Sequence, residues 1–354
     1  MSASSPSSPN VPIPTASSSA VTSAGGRILL IRLSAIGDIL LTAPIVAALH
    51  ARGYAVDFMV KAAYRSVVNA LPGVGEVLVW EREAAQVRWS NYQGVVDLQA
   101  TAKTAQFLRK APHSLPVYKF KKPYIKRALL LWTKLPIFAL SPVVERYADA
   151  VRPLLGPQWR PSHAPIEPGA AARTKVQTMF AQRGITEPPL VFVLGGSYKG
   201  KKMSYWQWNE LVEKSKKFDL PIALLGGPQE AMMGESLEQP LGKNIFNFAR
   251  DLTLLEGLAL VSAARLVVSG DTGFMHAAAA LQRPLVSLWG ATHPHLGFSP
   301  WKARVHIPVI TKSFLTPLSK HGKLPVPFLN PMNQLPLNQV VEAIEQILQD
   351  KTTP

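Results

Sequence analysis

The chain has 354 residues, 47% of them hydrophobic, a formal net charge of +16 and no cysteine. That length can bury two cores, the absence of thiols excludes disulfides and thiolate metal sites, and no apolar run reaches the ~20 residues that cross a bilayer. An excess of 38 basic over 22 acidic side chains calls for an anionic partner: nucleic acid, an acidic membrane or a phosphorylated substrate.

Residues 1–26 hold nine Ser, four Pro and no charge, which predicts a disordered tail without the basic start and apolar block of a secretory signal. From residue 27, RILLIRL reads as a buried parallel strand and GDILLTAPIVAALHARG as a helix stopping at Gly53. AVDFMV is the next strand, SVVNALPG a short helix, and EVLVW a third strand. QGVVDLQ and the helical TAKTAQFLRKA follow. Pro and Gly then break the pattern near 156–172, a linker that closes a first unit at 27–155.

Alternation resumes in a second unit, 173–336. Its strands are LVFVL, PIALLGG, NIFNFA, RLVVSG and PLVSLWG, separated by helices that begin near Ser204, Gln229, Thr253 and Thr272. Residues 337–354 carry a final helix, LNQVVEAIEQILQD. Such alternation predicts two doubly wound parallel sheets in tandem, of α/β class. Ligands of these sheets sit beyond the carboxyl ends of the strands, so the loops there belong to one central cleft.

Four of those loops carry chemistry. GGSYKGKKMS has the glycine and lysine spacing of a P-loop, but Lys202 stands where a magnesium-holding Ser or Thr is needed. What remains is an anion site: Ser197, Lys199, Lys201 and Lys202 converge on a helix start. In SGDTGFMHAAAAL, glycines flank Asp271 and Thr272 where a strand enters an Ala-rich helix, and His276 follows one turn later. Gly273 lets backbone come close to a ligand, while Asp271 also suits a helix cap. RLSAIGDILLTAP places Asp38 in a first helical turn, a position equally suited to a cap and to a proton acceptor. LLGGPQE presents Glu230, either an ordinary first-turn residue or a carboxylate for two ribose hydroxyls.

No histidine or carboxylate cluster has ligand spacing, so no metal or cofactor is expected. Nucleophilic catalysis finds neither a Cys nor a G-x-S-x-G turn. Between Asp97 and Glu145 lie nine Lys or Arg and no acidic residue, and YKFKKPYIKRALLLWTKL interleaves cations with aromatics. That segment reads as a contact for an anionic membrane surface or as a solvated helix face. No nucleic-acid motif accompanies it.

The loops, in their order, resemble glycosyltransferase family 9, the ADP-heptose:lipopolysaccharide heptosyltransferases, from residue 27 to about 350. ILLIRLSAIGDILLTAPIVAAL is similar to the family's opening strand, S-x-x-G-D turn and helix. GVVDLQATAKTA resembles its D-x-Q-x-x-x-K-[ST] segment, VVERYADAV its V-E-R segment, and VVSGDTGFMHAAAAL its most specific motif. The resemblance implies a GT-B fold with an N-terminal acceptor domain, a C-terminal nucleotide-sugar domain and an inverting, metal-independent transfer. It makes Asp38 the general base, gives the donor diphosphate to Ser197 and Lys201, and the ribose to Glu230. The donor sugar goes to Asp271 beside Thr272, Gly273 and His276. Lys103, Lys122 and Arg127 would face an anionic glycolipid acceptor, placing the enzyme in the cytoplasm at the inner membrane. Rival readings are a GT-B transferase using another nucleotide sugar and a non-catalytic binder of anionic lipid or glycan. Departures from the pattern are Lys202-Met203-Ser204, where the family runs basic residue, Trp and Pro, and Phe274, where a compact residue is expected. The stretch 313–336 matches no family motif.

Overall fold

The computed structural model describes residues 25–242, 244–326 and 329–350. Residues 1–24 of the expected tail lie outside that set. Among the described residues, one sheet holds β1 (Arg27–Ile31), β2 (Ala55–Val60), β3 (Val74–Val79), β4 (Gly94–Asp97) and β5 (Val117–Lys119) in the order β3-β2-β1-β4-β5. The other holds β6 (Leu190–Val193), β7 (Ile222–Leu225), β8 (Ile245–Asn247), β9 (Leu266–Gly270), β10 (Leu285–Trp289) and β11 (His306–Ile310) in the order β11-β10-β9-β6-β7-β8. Every pairing is parallel. The central strands are apolar and buried on both faces, as a sheet covered by helices on both sides requires.

Strand order reverses at β1, which lies between β2 and β4, and again at β6, between β7 and β9. A crevice opens where neighbouring connections leave in opposite directions. The loops after β1, β4, β6 and β9 therefore surround the two switch points.

The structure refines the expected elements in three places. The long helix after β1 is two, Ile36–Leu40 and Ala43–Ala51. Pro44 has no N–H, and its ring crowds the carbonyl four residues back, so the helix restarts there. The linker shortens because a helix, Ala170–Arg183, starts within it. What is left is anchored to both units: Glu167 N–H donates to Ala70 O (2.8 Å), and His163 Nε2 lies 3.0 Å from Ala280 O. The final helix, Leu337–Gln349, is an integral part of the second unit, with Val340, Ile344 and Ile347 in one core with Phe192, Trp208 and Leu211. Pro308 hides β11 from a sequence reading, and the strand tolerates it because it lies at the sheet edge.

The two units meet at two helix starts. A Cβ on Gly37 would stand 2.5 Å from His276 Cδ2, and one on Gly273 would stand 2.6 Å from Ile36 Cβ and 3.3 Å from Gly37 N. Only hydrogen fits at either position. Phe274, next in line, turns onto Gly257, whose missing side chain leaves room for the ring. Gly273→Ala should therefore cost about 1–3 kcal/mol of stability, the usual range for overpacking. Urea unfolding measures it, and an unchanged midpoint would show that this contact does not set the spacing of the halves.

Candidate active site

A cavity of about 530 Å³ opens between the units, lined from both sides. The loop after β1 contributes Arg32, Ser34 and Asp38, and that after β4 contributes Gln99 and Thr101. From the second unit come Ser197, Tyr198 and Lys201 after β6, and Asp271, Thr272 and Gly273 after β9, followed by His276. These are the loops that the strand order places at the switch points.

Asp38 is the carboxylate of the first unit in this cavity. Its Oδ2 lies 2.5 Å from Arg32 Nη2, and its side chain keeps 24% exposure. Tyr147 donates its hydroxyl to Oδ1 at 3.4 Å. Burial works against the charged form, yet the Arg32 guanidinium, Lys320 and His276 together hold the carboxyl below its ordinary range. Asp38 is thus an anion at neutral pH, with its solvated edge turned into the cleft. Arg32 is itself fixed: it is buried, Nε donates to Ser34 O (2.9 Å) and Nη1 to Leu98 O (2.7 Å). Burial raises the Tyr147 phenol well above its usual value, so it remains a donor.

Across the cleft, Lys201 Nζ pairs with Asp271 Oδ2 at 2.7 Å, both largely buried. Thr272 caps the helix Gly273–Ala280 through its hydroxyl, which accepts from Met275 N–H at 3.4 Å. Thr272 and Gly273, at the positive end of that helix's dipole, line the cavity. His276 is buried and its Nδ1 has no hydrogen-bond partner. Buried polar atoms are nearly always satisfied, so this nitrogen leaves one bond open. Burial depresses its pKa to about 4, leaving it neutral at pH 7.

The model for glycosyltransferase family 9 (heptosyltransferase) matches residues 80–317. The chain belongs to that family. It is 25% identical over 295 residues to lipopolysaccharide heptosyltransferase 1 of Salmonella typhimurium, covering 76% of this chain and 90% of the relative. Its fold superposes on that of a family 9 glycosyltransferase from Veillonella parvula with a TM-score of 0.74 at 16% identity, over 92% of this chain and 98% of that one. The Escherichia coli ADP-heptose lipopolysaccharide heptosyltransferase II superposes with a TM-score of 0.65 at 21% identity, over 90% and 99% of the two chains. The architecture is GT-B.

Most residues singled out from the sequence of this glycosyltransferase meet in the cavity: Asp38, Lys122, Arg127, Ser197, Lys201, Asp271, Thr272, Gly273 and His276. Glu230 does not line it. Its carboxylate is buried behind the β6 and β7 loops, accepting from Gly227 N–H at 3.0 Å and pairing with Lys202 Nζ at 2.6 Å. Lys103 also lies outside, its ammonium 4.9 Å from the centre of the Trp80 ring. The departures near Lys202 have structural roles: Met203 is a core residue, and Ser204 caps the helix Tyr205–Ser215 in a reciprocal box with Gln207.

The cavity also gathers residues that sequence reasoning missed, namely Arg32, Arg146, Tyr147, Lys320 and His321. Lys320 comes from the unmatched stretch 313–336. Leu318 and Ser319 N–H groups bond Ala291 O at 2.9 and 3.2 Å, and Gly200 N–H bonds Gly322 O at 3.1 Å, which fixes the loop beside the lysine turn. Burial, then the nearby Arg127, Lys122 and Arg32, lowers the Lys320 ammonium to about 8 despite attraction to Asp38.

A pH dependence follows from His276. Between about 4 in the folded chain and 6.5 in the unfolded one, the unfolded chain binds a proton that the folded chain refuses. Stability should therefore fall as pH drops from 6.5 toward 4. Denaturant midpoints across that window, for wild type and His276→Gln, measure the effect; the variant should lose stability less steeply, and an identical slope would contradict a neutral, buried imidazole.

Proposed function

We propose that this enzyme moves heptose from an ADP-heptose donor to the acidic inner core of lipopolysaccharide, with inversion and without a metal ion. The observation that carries the reading is the cavity itself: one ionised carboxylate, Asp38, on the first unit faces lysine and helix-end amides on the second. The E. coli neighbour is an ADP-heptose lipopolysaccharide heptosyltransferase, which supports the choice of donor. Cytoplasmic placement at the inner membrane belongs to the same proposal, and nucleic acid has no part in it.

In this reading the acceptor hydroxyl gives its proton to Asp38 as its oxygen attacks the anomeric carbon of the donor. The bond from that carbon to the diphosphate breaks, and the electron pair leaves with the nucleoside diphosphate. A single displacement inverts the centre, and because the diphosphate leaves as a stable anion without a general acid, one carboxylate acting as base suffices. Negative charge grows on the departing phosphate, where Lys201, Ser197 and the amides at Thr272 and Gly273 supply preorganised stabilisation. Their charge does the work that a cation would otherwise do, with no metal required. Asp271 and His276 then take sugar hydroxyls. Lys122, Arg127, Arg146 and Lys320 neutralise the acidic acceptor.

Arg32 has a second consequence for the chemistry. By holding Asp38 ionised it ensures that the base can accept a proton, and by fixing Oδ2 it leaves Oδ1, which has only the long 3.4 Å contact from Tyr147, to take the acceptor proton. Asp38→Asn keeps the shape and removes the basicity. It should lower kcat by about 10²–10⁴-fold, the usual contribution of a general base, while ADP binding by calorimetry stays within about twofold. Transfer followed by mass spectrometry with ADP-heptose and a core acceptor is the assay. Unchanged kcat in Asp38→Asn would remove this residue from the reaction, and transfer from a different sugar nucleotide alone would reject the donor.

A further inference from the structure

We infer that an apolar rim beside the cleft mouth, built from both units, seats the enzyme on the surface of an anionic phospholipid bilayer. The helix Tyr124–Thr133 has two working sides. Pro123, just before it, and Arg127 line the cavity, and Leu130 is fully buried. Ile125 and Trp132, seven residues apart and so on one face, are 80% and 82% exposed. Beyond Lys134, which ends the helix in a left-handed conformation (φ 61°), a short turn adds Ile137 at 78% exposure. Lys134 Nζ also donates to Pro317 O, tying this segment to the loop of the second unit that carries Phe314, 86% exposed.

Large apolar side chains this bare are costly in water, and a group of them marks an interaction surface. Charge decides what covers it. From Asp97 to Glu145 the chain has nine Lys or Arg and no acid between those two residues, and Lys121 and Lys126 are exposed beside the apolar face. A second copy of the chain would set these cations against their own kind, which is unfavourable. An anionic bilayer satisfies both features, with Trp and aliphatic side chains at the headgroup boundary and lysines on the phosphates.

The geometry also gives the surface a purpose, which alone rests on the glycolipid reading. One side of the helix would lie on the membrane while Arg127, on the other, reaches toward a headgroup entering the cleft. The surface itself is testable without donor or acceptor.

The experiment is co-sedimentation of the full chain with vesicles of phosphatidylcholine containing about 30% phosphatidylglycerol, compared with phosphatidylcholine alone, at low and high salt. Wild type should bind the anionic vesicles and bind less at high salt. The triple variant Ile125→Ser, Trp132→Ser, Ile137→Ser should bind about tenfold more weakly or worse, and Lys121→Ala with Lys126→Ala should lose most of the preference for anionic lipid. Circular dichroism and ADP binding equal to wild type would show that both variants are folded. Transfer to a soluble core fragment without acyl chains should also be unaffected, which separates this surface from the catalytic reading. Wild type that ignores the vesicles, or a triple variant that binds as wild type does, overturns the inference. So does an ultracentrifuge result in which the triple substitution only dissociates an oligomer, because a second copy would then be the occupant.

Discussion

Two helix starts in contact, one from each unit, determine where everything else in the cleft can be. Gly37 and Gly273 have no side chains because His276 and Ile36 already occupy the space a Cβ would need. That close approach brings Asp38 and the Lys201–Asp271 pair to a common cavity. Because both helices begin at the carboxyl ends of strands beside a switch point, their first turns face the gap while their bodies are held in the core. The fold is thus a device for bringing two helix starts together, with small residues as the condition for contact.

Electrostatics then divide the cleft into two kinds of charge. Asp38 and Asp271 each have a cation at 2.5–2.7 Å, in Arg32 and Lys201. Around them Lys122, Arg127, Arg146 and Lys320 add positive charge, and their mutual repulsion contributes to the lowered values of Lys122, Arg146 and Lys320, after burial. Such a site is poised for an anionic ligand, which would relieve the repulsion and be stabilised by it. The same surplus continues onto the exposed helix face, so the cleft and its rim share one electrostatic character.

What the sequence revealed and what it concealed have a common physical origin. Asp38, Lys201, Asp271 and His276 were legible because each belongs to a strand-to-helix turn whose glycines and small residues are local signals. The parallel sheets were legible from the alternation of apolar runs, but the break at Pro44 and the edge strand with Pro308 needed the neighbouring packing. Arg32, Tyr147 and Lys320 carried no local signal that distinguished them from other basic or aromatic residues. They reach the cavity through tertiary contacts, Lys320 by way of backbone bonds to Ala291 and Gly200. Glu230 shows the reverse case: its position near a strand end suggested a place in the cleft, but a local amide and Lys202 hold it, while Lys103, which the family resemblance placed toward the acceptor, packs on an aromatic ring.

A crystal structure with a non-transferable nucleotide sugar and an acceptor fragment would place the diphosphate and the acceptor hydroxyl relative to Lys201 and Asp38. Diphosphate oxygens should be in hydrogen-bond contact with Lys201 and the amides at Thr272 and Gly273. The acceptor hydroxyl should lie at about 2.6–3.2 Å from Oδ1 of Asp38. A diphosphate held elsewhere, or an acceptor hydroxyl on the far side of the cleft from Asp38, would contradict the proposed transfer.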